Sequence, residues 1–343
     1  MGGSGHAGLQ WWCVCVVVLS GFVACGGDSG PTRPSNSQAP DGPSTWTLKG
    51  TVTETLTGTP IDSAELTFSL ADGLTASTTS SVSGEWLLSK TSIQGAIDVT
   101  VSAKGYLTRQ LHLSSPSVPR DVAIDLIKDA APFSLSYYRQ LVRNEFEEPE
   151  TYQPVRRWKN NPNFYVNVRN PITGEEITAA ERDKLVATIR AAVPQMTGGQ
   201  FEAGAIETGL EDRLERLGVI NVALVHEPDS DYCGRAFVGA DPGRITLNYS
   251  SQRCAPRCGN FTARTVAHEV GHAMGFWHVA EGTVLNKVWS ERDCGTTTFS
   301  AAERYHARVA YSRPLGNADI DVDPSSAFLV RPESPAPRLV SCR

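Results

Sequence analysis

The stretch HEVGHAMGFWH, residues 268 to 278, sets three histidines at intervals of four and six. No other part of the chain restricts its fold and chemistry as tightly. Side chains four apart on a helix project from one face, so His268 and His272 can offer both imidazoles to a single ion. Gly275 can take the left-handed conformation that ends a helix, after which the chain can return His278 as a third nitrogen ligand. Glu269 is displaced from that pair but within reach of a water on the same ion, which makes it the candidate general base. Three nitrogens leave one position open, the arrangement of a catalytic zinc site, whereas structural zinc is closed by four protein ligands. One catalytic Zn2+ is therefore the expected cofactor. Upstream, Asn260 or Thr262 supplies the N-cap of the histidine-bearing helix.

With 343 residues, the chain has room for two ordinary domains and tails. A formal net charge of −6 without any Lys/Arg block argues against nucleic acid as a partner. Residues 1–25 contain an apolar run, Leu9 to Ala24, too short for a membrane span and bounded by small residues, as in an export signal. Residues 26–45 are rich in Gly, Pro and Ser and read as a flexible linker. From 46 to 128, runs such as WTLKGTVTETL, AELTFSL, GEWLLSK and AIDVTVSA alternate with period two between Gly, Pro and Asp turns. That pattern predicts a small antiparallel β-sandwich. Residues 129–154 form a junction with one short helix whose Leu135, Tyr138, Leu141 and Val142 share a face.

Residues 155–315 follow an α+β pattern. NFYVNVR, FEAGAIE, GVINVALVHE, GRAFVGA and GRITLNYS read as strands. TAAERDKLVATIRAAV reads as a helix with Thr178 and Glu181 as capping box. Ser300 and Glu303 open a last helix in the same way, with an apolar stripe at Ala302, Tyr305 and Val309. His112, His226 and His306 read as structural or solvated. Residues 316–343 are rich in Pro, Asp and Ser and read as a C-terminal tail.

Three resemblances extend this reading. The N-terminus is similar to a bacterial lipoprotein signal, which implies lipidation at Cys25, a lipid anchor in the membrane and, with Gly26 following, placement at the outer membrane. Residues 46–128 resemble the carboxypeptidase regulatory-like, transthyretin-like β-sandwich family. HEVGHAMGFWH resembles the HExxHxxGxxH signature of the metzincin zinc peptidases, which implies a mixed twisted sheet with an active-site helix. It also implies His268, His272 and His278 as zinc ligands and Glu269 as the base that activates water and protonates the leaving amine. Peptide or protein is then the substrate, and the strand from Arg244 to Tyr249 would pair with it as an open sheet edge. Metzincins carry a methionine in a turn beneath the zinc; Leu285 takes that place here, or Val284 or Val288 if the loop runs differently. Lys287 stands where some of them have a tyrosine ligand.

Export accounts for the cysteines, because disulfides persist in an oxidising compartment. Cys233, Cys254, Cys258, Cys294 and Cys342 are the candidates, an odd number. Cys258 lies in PRCGN, similar to a cysteine-switch segment, but its position just before the active-site helix favours pairing with Cys233 or Cys294. The expected function is an exported zinc endopeptidase. The alternative is a non-enzymatic surface lipoprotein with a degenerate peptidase fold, and the intact Glu269 argues against it.

Overall fold

The computed structural model describes residues 45–70, 73–91, 95–113, 120–249, 260–287, 294–325 and 338–342. Cys25, Cys254, Cys258 and Val288 lie outside them. From residue 43 onward the chain forms one compact unit.

Seven strands build the N-terminal sandwich: β1 (Thr45–Glu54), β2 (Glu65–Leu70), β3 (Thr75–Thr79), β4 (Glu85–Thr91), β5 (Ile97–Ser102), β6 (Arg109–Leu113) and β7 (Arg120–Leu126). They form a three-stranded sheet, β4-β1-β7, and a four-stranded sheet, β3-β2-β5-β6. Alternation does the work here. In β5, Ile97, Val99 and Val101 turn inward while Asp98 and Thr100 face out, and they meet Leu48, Val52, Phe68, Trp86 and Ile124 in one core. One pairing departs from the expected antiparallel scheme. β7 crosses over from the other sheet and lies parallel to β1, Leu48 against Arg120 through Glu54 against Leu126, a pairing that no local alternation in the sequence encodes.

The second half contains α1 (Leu135–Arg143), β8 (Asn163–Asn167), α2 (Ala179–Thr197), β9 (Ile206–Gly209), β10 (Val219–Val225), β11 (Gly234–Phe237), β12 (Gly243–Asn248), α3 (Ala263–Ala273), α4 (Ala301–Tyr311) and β13 (Leu339–Cys342). The sheet runs β13-β11-β12-β10-β8-β9. β9, β8, β10 and β12 are parallel neighbours, and β11 and β13 continue it antiparallel. The fold is therefore α+β: a mixed sheet with four helices among the described residues, preceded by a β-sandwich.

Sequence expectations are met at most helix starts. Ser134, Thr178, Thr262 and Ser300 cap α1 to α4, the second and fourth with complete capping boxes. Thr262, not Asn260, caps the histidine helix. α2 continues one turn past Pro194 instead of stopping before it. Burial of Met196 and Thr197 and the αL cap at Gly198 (φ 63) hold that turn despite the backbone donor that proline lacks.

One expectation about surfaces is corrected. The strand containing Arg244 to Tyr249 is not a sheet edge, because β12 lies between β10 and β11; the outer strands are β9 and β13. The C-terminal tail, from 316 onward, is packed over its described length. Asn317 and Asp321 are buried, and Leu339–Cys342 adds a strand to the sheet. Arg313 lies fully buried, with Nε and Nη2 donating to the Asp321 carboxylate at 2.7 and 2.8 Å and Nη1 to Asp125 of β7 at 2.5 Å. Arg109 of β6 bridges Asp125 at 2.6 Å and Asp323 at 2.8 Å. The sandwich is thus locked to the second half by charge-assisted bonds that satisfy one another away from water.

Candidate metal centre

The histidine helix α3 has every residue from Arg264 to Ala273 buried, so each of its polar groups is costly unless something pairs with it. His268 and His272 sit one turn apart on it. The chain then leaves the helix at Gly275 (φ 112), where a Cβ would fall 1.9 Å from the Arg156 carbonyl oxygen. No other residue fits that close approach, and the turn it permits returns His278 to the helix.

All three imidazoles are fully buried and meet through their Nε2 atoms, separated by 2.9 Å (His268 to His272), 3.0 Å (His268 to His278) and 3.2 Å (His272 to His278). Each Nδ1 faces an acceptor: the Val284 carbonyl at 2.6 Å, the Phe276 carbonyl at 2.7 Å and Glu147 Oε1 at 2.8 Å, respectively. Carbonyls and carboxylates only accept, so the proton of each neutral ring is assigned to Nδ1. The Nε2 atoms then carry lone pairs, and their mutual approach is not hydrogen bonding but three donors converging on one point. Burial, reinforced by the neighbouring rings, holds His268 well below the ordinary histidine range and His272 at about 3. Neutral imidazole is the ligating form.

The set fits a metal ion. Tetrahedral zinc with bonds of about 2.0–2.1 Å needs its nitrogens about 3.3–3.4 Å apart, within a few tenths of an ångström of the separations here. Glu269 supplies the second sign. It is completely buried, and neither carboxylate oxygen has a hydrogen-bond partner; burial alone pushes its carboxyl well above the usual range. A carboxylate in that position is tolerable only where something else supplies hydrogen bonds or positive charge.

Leu285 is fully buried beneath α3, close enough that a Cβ on Gly271 would lie 2.9 Å from Leu285 Cδ2. Val284, next to it, contributes its carbonyl to His268. Lys287 pairs with Glu147 at 2.9 Å. Cys233 and Cys294 are both disulfide-bonded, and Cys342 ends β13.

Residues 47–126 match the family of the Carboxypeptidase regulatory-like domain. The N-terminal sandwich is such a domain, and the match ends well short of the histidines. A comparison with curated proteins finds no match. Among solved structures, a catechol 1,2-dioxygenase of Acinetobacter radioresistens is similar at 14% identity, over 26% of this chain and 54% of that one, with a TM-score of 0.22. A 3-chlorocatechol 1,2-dioxygenase of Rhodococcus opacus 1CP aligns at 11% identity, over 26% and 62%, with a TM-score of 0.21. A chain of a cohesin–X-dockerin complex from Acetivibrio cellulolyticus aligns at 23% identity, over 24% and 56%, with a TM-score of 0.19. The chain spans little more than half the length of these structures, and likenesses this slight carry no functional argument.

Four residues around the histidines escaped sequence reasoning. Glu147, from the junction after α1, fixes the His278 ring and is pulled down to about 2, chiefly by its hydrogen bond with His278 and further by Lys287, against the opposing effect of burial. Glu303 caps α4 as expected, but its carboxylate also accepts from the backbone of Thr283, Val284 and Leu285. Arg264 donates from α3 to the carbonyls of Thr283 and Asn286. Glu303 and Arg264 together clamp the turn that aims the Val284 carbonyl at His268. Gly234 leaves room for Glu269, since a Cβ there would stand 2.6 Å from Glu269 Oε1. Only Glu303 had a signal in the sequence, as the third residue of its helix.

Proposed function

We propose that the chain is an exported zinc-dependent endopeptidase of metzincin type, with the carboxypeptidase regulatory-like domain as its N-terminal module and Cys25 as a lipid anchor at the outer membrane. One observation carries the peptidase reading: three buried Nε2 lone pairs converge, and the residue that follows the first of these histidines, Glu269, is a buried glutamate without a hydrogen-bond partner. A purely structural metal site has no use for such a glutamate.

Zinc, which His268, His272 and His278 would hold, would supply Lewis acidity. The chain's own residues do the rest. Val284, Phe276 and Glu147 hold each ring by its Nδ1–H, so the ligands need no reorganisation on binding. Glu269 takes a proton from the attacking water as its oxygen bonds to the carbonyl carbon. It returns that proton to the amine nitrogen when the C–N bond breaks. Leu285 supplies apolar support under α3. An extended peptide would add to the sheet along β11, the strand whose Gly234 faces Glu269, on the side that β13 occupies in this structure.

The test is metal content and peptide-library cleavage for the wild type and for Glu269→Ala. Stoichiometric zinc in both proteins, with cleavage only by the wild type, is the expected result. Stoichiometric zinc with no cleavage of any peptide, either by the wild type or by a variant whose β13 is loosened by Arg338→Ala and Val340→Asp, refutes the peptidase reading.

A further inference from the structure

The outer edge of β11 is already paired. Leu339–Cys342 runs antiparallel along it, with Gly234 opposite Cys342, Ala236 opposite Val340 and Phe237 opposite Leu339. The Val238 N–H donates to the Arg338 carbonyl at 3.0 Å. Ladder alternation then makes Ala236 with Val340, and Gly234 with Cys342, the pairs that exchange both backbone bonds. Arg338 and Val340 are two apart and so share a face. Arg338 Nη1 reaches both oxygens of Glu148 at 2.7 and 2.6 Å, and Val340, only 5% exposed, packs with Val238 and Trp277. Both contacts adjoin the histidine site: Glu148 follows Glu147, the partner of His278, and Trp277 precedes His278. Leu339, between them, is 51% exposed.

We propose that β13 is an internal stand-in for the peptide substrate. It occupies the edge of β11 that an incoming chain must use, and it displays the preferred sequence: a basic residue against Glu148, then, two positions on, a β-branched apolar residue against Val238 and Trp277. Substrate binds only when β13 swings away. The inference rests on the peptidase reading of the histidine site. Its physics is that of strand addition, in which backbone bonds supply affinity and alternate side chains supply selectivity. A segment four residues long, held partly by a half-exposed ion pair that contributes little, is weak enough to be displaced. Yet an intramolecular strand competes at an effective concentration of about a millimolar or more.

The experiment uses the full-length protein with Arg338→Ala and Val340→Asp combined. Two quantities are read: kcat/KM for a peptide containing Arg-Leu-Val, and binding of a dye-labelled copy of residues 337–341, each protein carrying Glu269→Ala for the binding measurement. Weakening the competitor should raise kcat/KM about tenfold or more, mainly through KM, and the labelled peptide should bind the variant and not the wild-type edge. A folded variant that cleaves and binds no better than wild type overturns the proposal while wild-type cleavage leaves the peptidase reading intact. Peptide binding by the variant, with no cleavage by either protein, sinks the peptidase reading and leaves β11 as a strand-binding edge covered by β13. Should the double variant not fold, Arg338→Glu, a charge reversal at a half-exposed side chain, carries the same two readouts with smaller gains, and their absence is equally fatal.

Discussion

Gly234→Ala tests how Glu269, the proposed general base, is held. Gly234 does not lie in the left-handed region of backbone space, so alanine brings no backbone strain, and the effect is confined to what its Cβ meets. That atom would fall 2.6, 2.7 and 2.8 Å from Oε1, Cγ and Cδ of Glu269. Restoring van der Waals separation at about 3.5 Å requires the carboxyl group to retreat by roughly 0.8 Å. A misplacement near 1 Å in a reacting group costs on the order of 100-fold in rate, or about 2.7 kcal/mol of transition-state stabilisation. The three atoms nearest that Cβ all belong to Glu269, so zinc content should stay at wild-type stoichiometry. The assay is kcat for a cleaved peptide, with metal analysis and a thermal melt on the same preparation. A double-mutant cycle isolates the cause: in the Glu269→Ala background, Gly234→Ala should change residual activity no further. Wild-type kcat in folded Gly234→Ala would show that Glu269 is not held against β11 as described.

Other perturbations read other parts of the structure. Glu303→Ala removes a buried carboxylate that orders the turn at 283–285 and leaves its N–H groups unsatisfied; a loss of about 3–5 kcal/mol in urea unfolding is expected, with reduced metal retention. Leu285→Met conserves volume in the fully buried position under α3 and should cost less than about 1.5 kcal/mol with metal content unchanged, whereas Leu285→Ala should cost about 2–5 kcal/mol; equal costs would show that the site does not depend on that packing. Burial acts to raise the Asp125 carboxyl, but Arg313, Arg109 and Thr55 together hold it below the ordinary carboxylate value. Its contribution is therefore present above the unfolded value of about 3.9 and is lost as pH falls through the folded one. Asp125→Asn should melt below wild type at neutral pH, with the gap closing in acid; a gap independent of pH would contradict the ion network.

Spacing made the histidine cluster legible, because helix geometry puts His268, Glu269 and His272 in fixed relation and a glycine is all the return of His278 requires. Period-two alternation made the sandwich legible for the same reason: one rule decides every residue. Legibility failed where a partner lies far along the chain. Glu147 is 131 residues from the ring it holds, and the β1–β7 pairing and the Arg313–Asp125 bond join segments that no local pattern connects. On α4 the expected stripe of Ala302, Tyr305 and Val309 is only partly the buried one. Glu303 and His306 are buried instead, and Ala302 is exposed.

That last failure shows what the second half of the fold is built around. An apolar stripe is a sound guide when the core is sealed by hydrophobic contact alone, since an unpaired polar side chain inside costs more than it returns. Here the interior face of α4 carries a carboxylate that accepts from the turn below the histidines and an imidazole that bridges two backbone groups: His306 Nε2 accepts from the Ser134 N–H at 2.9 Å and Nδ1 faces the Ala302 carbonyl at 2.8 Å. Arg264 plays the same part on α3. Glu303 and Arg264 tie down backbone groups of residues 283–286, and His306 holds the N–H of Ser134 at the start of α1. The result is that segment 283–286, which regular secondary structure does not hold, is fixed to α3 and α4 through its backbone. The buried polar residues that sequence periodicity cannot see are thus the ones that order the turn whose Val284 carbonyl faces His268.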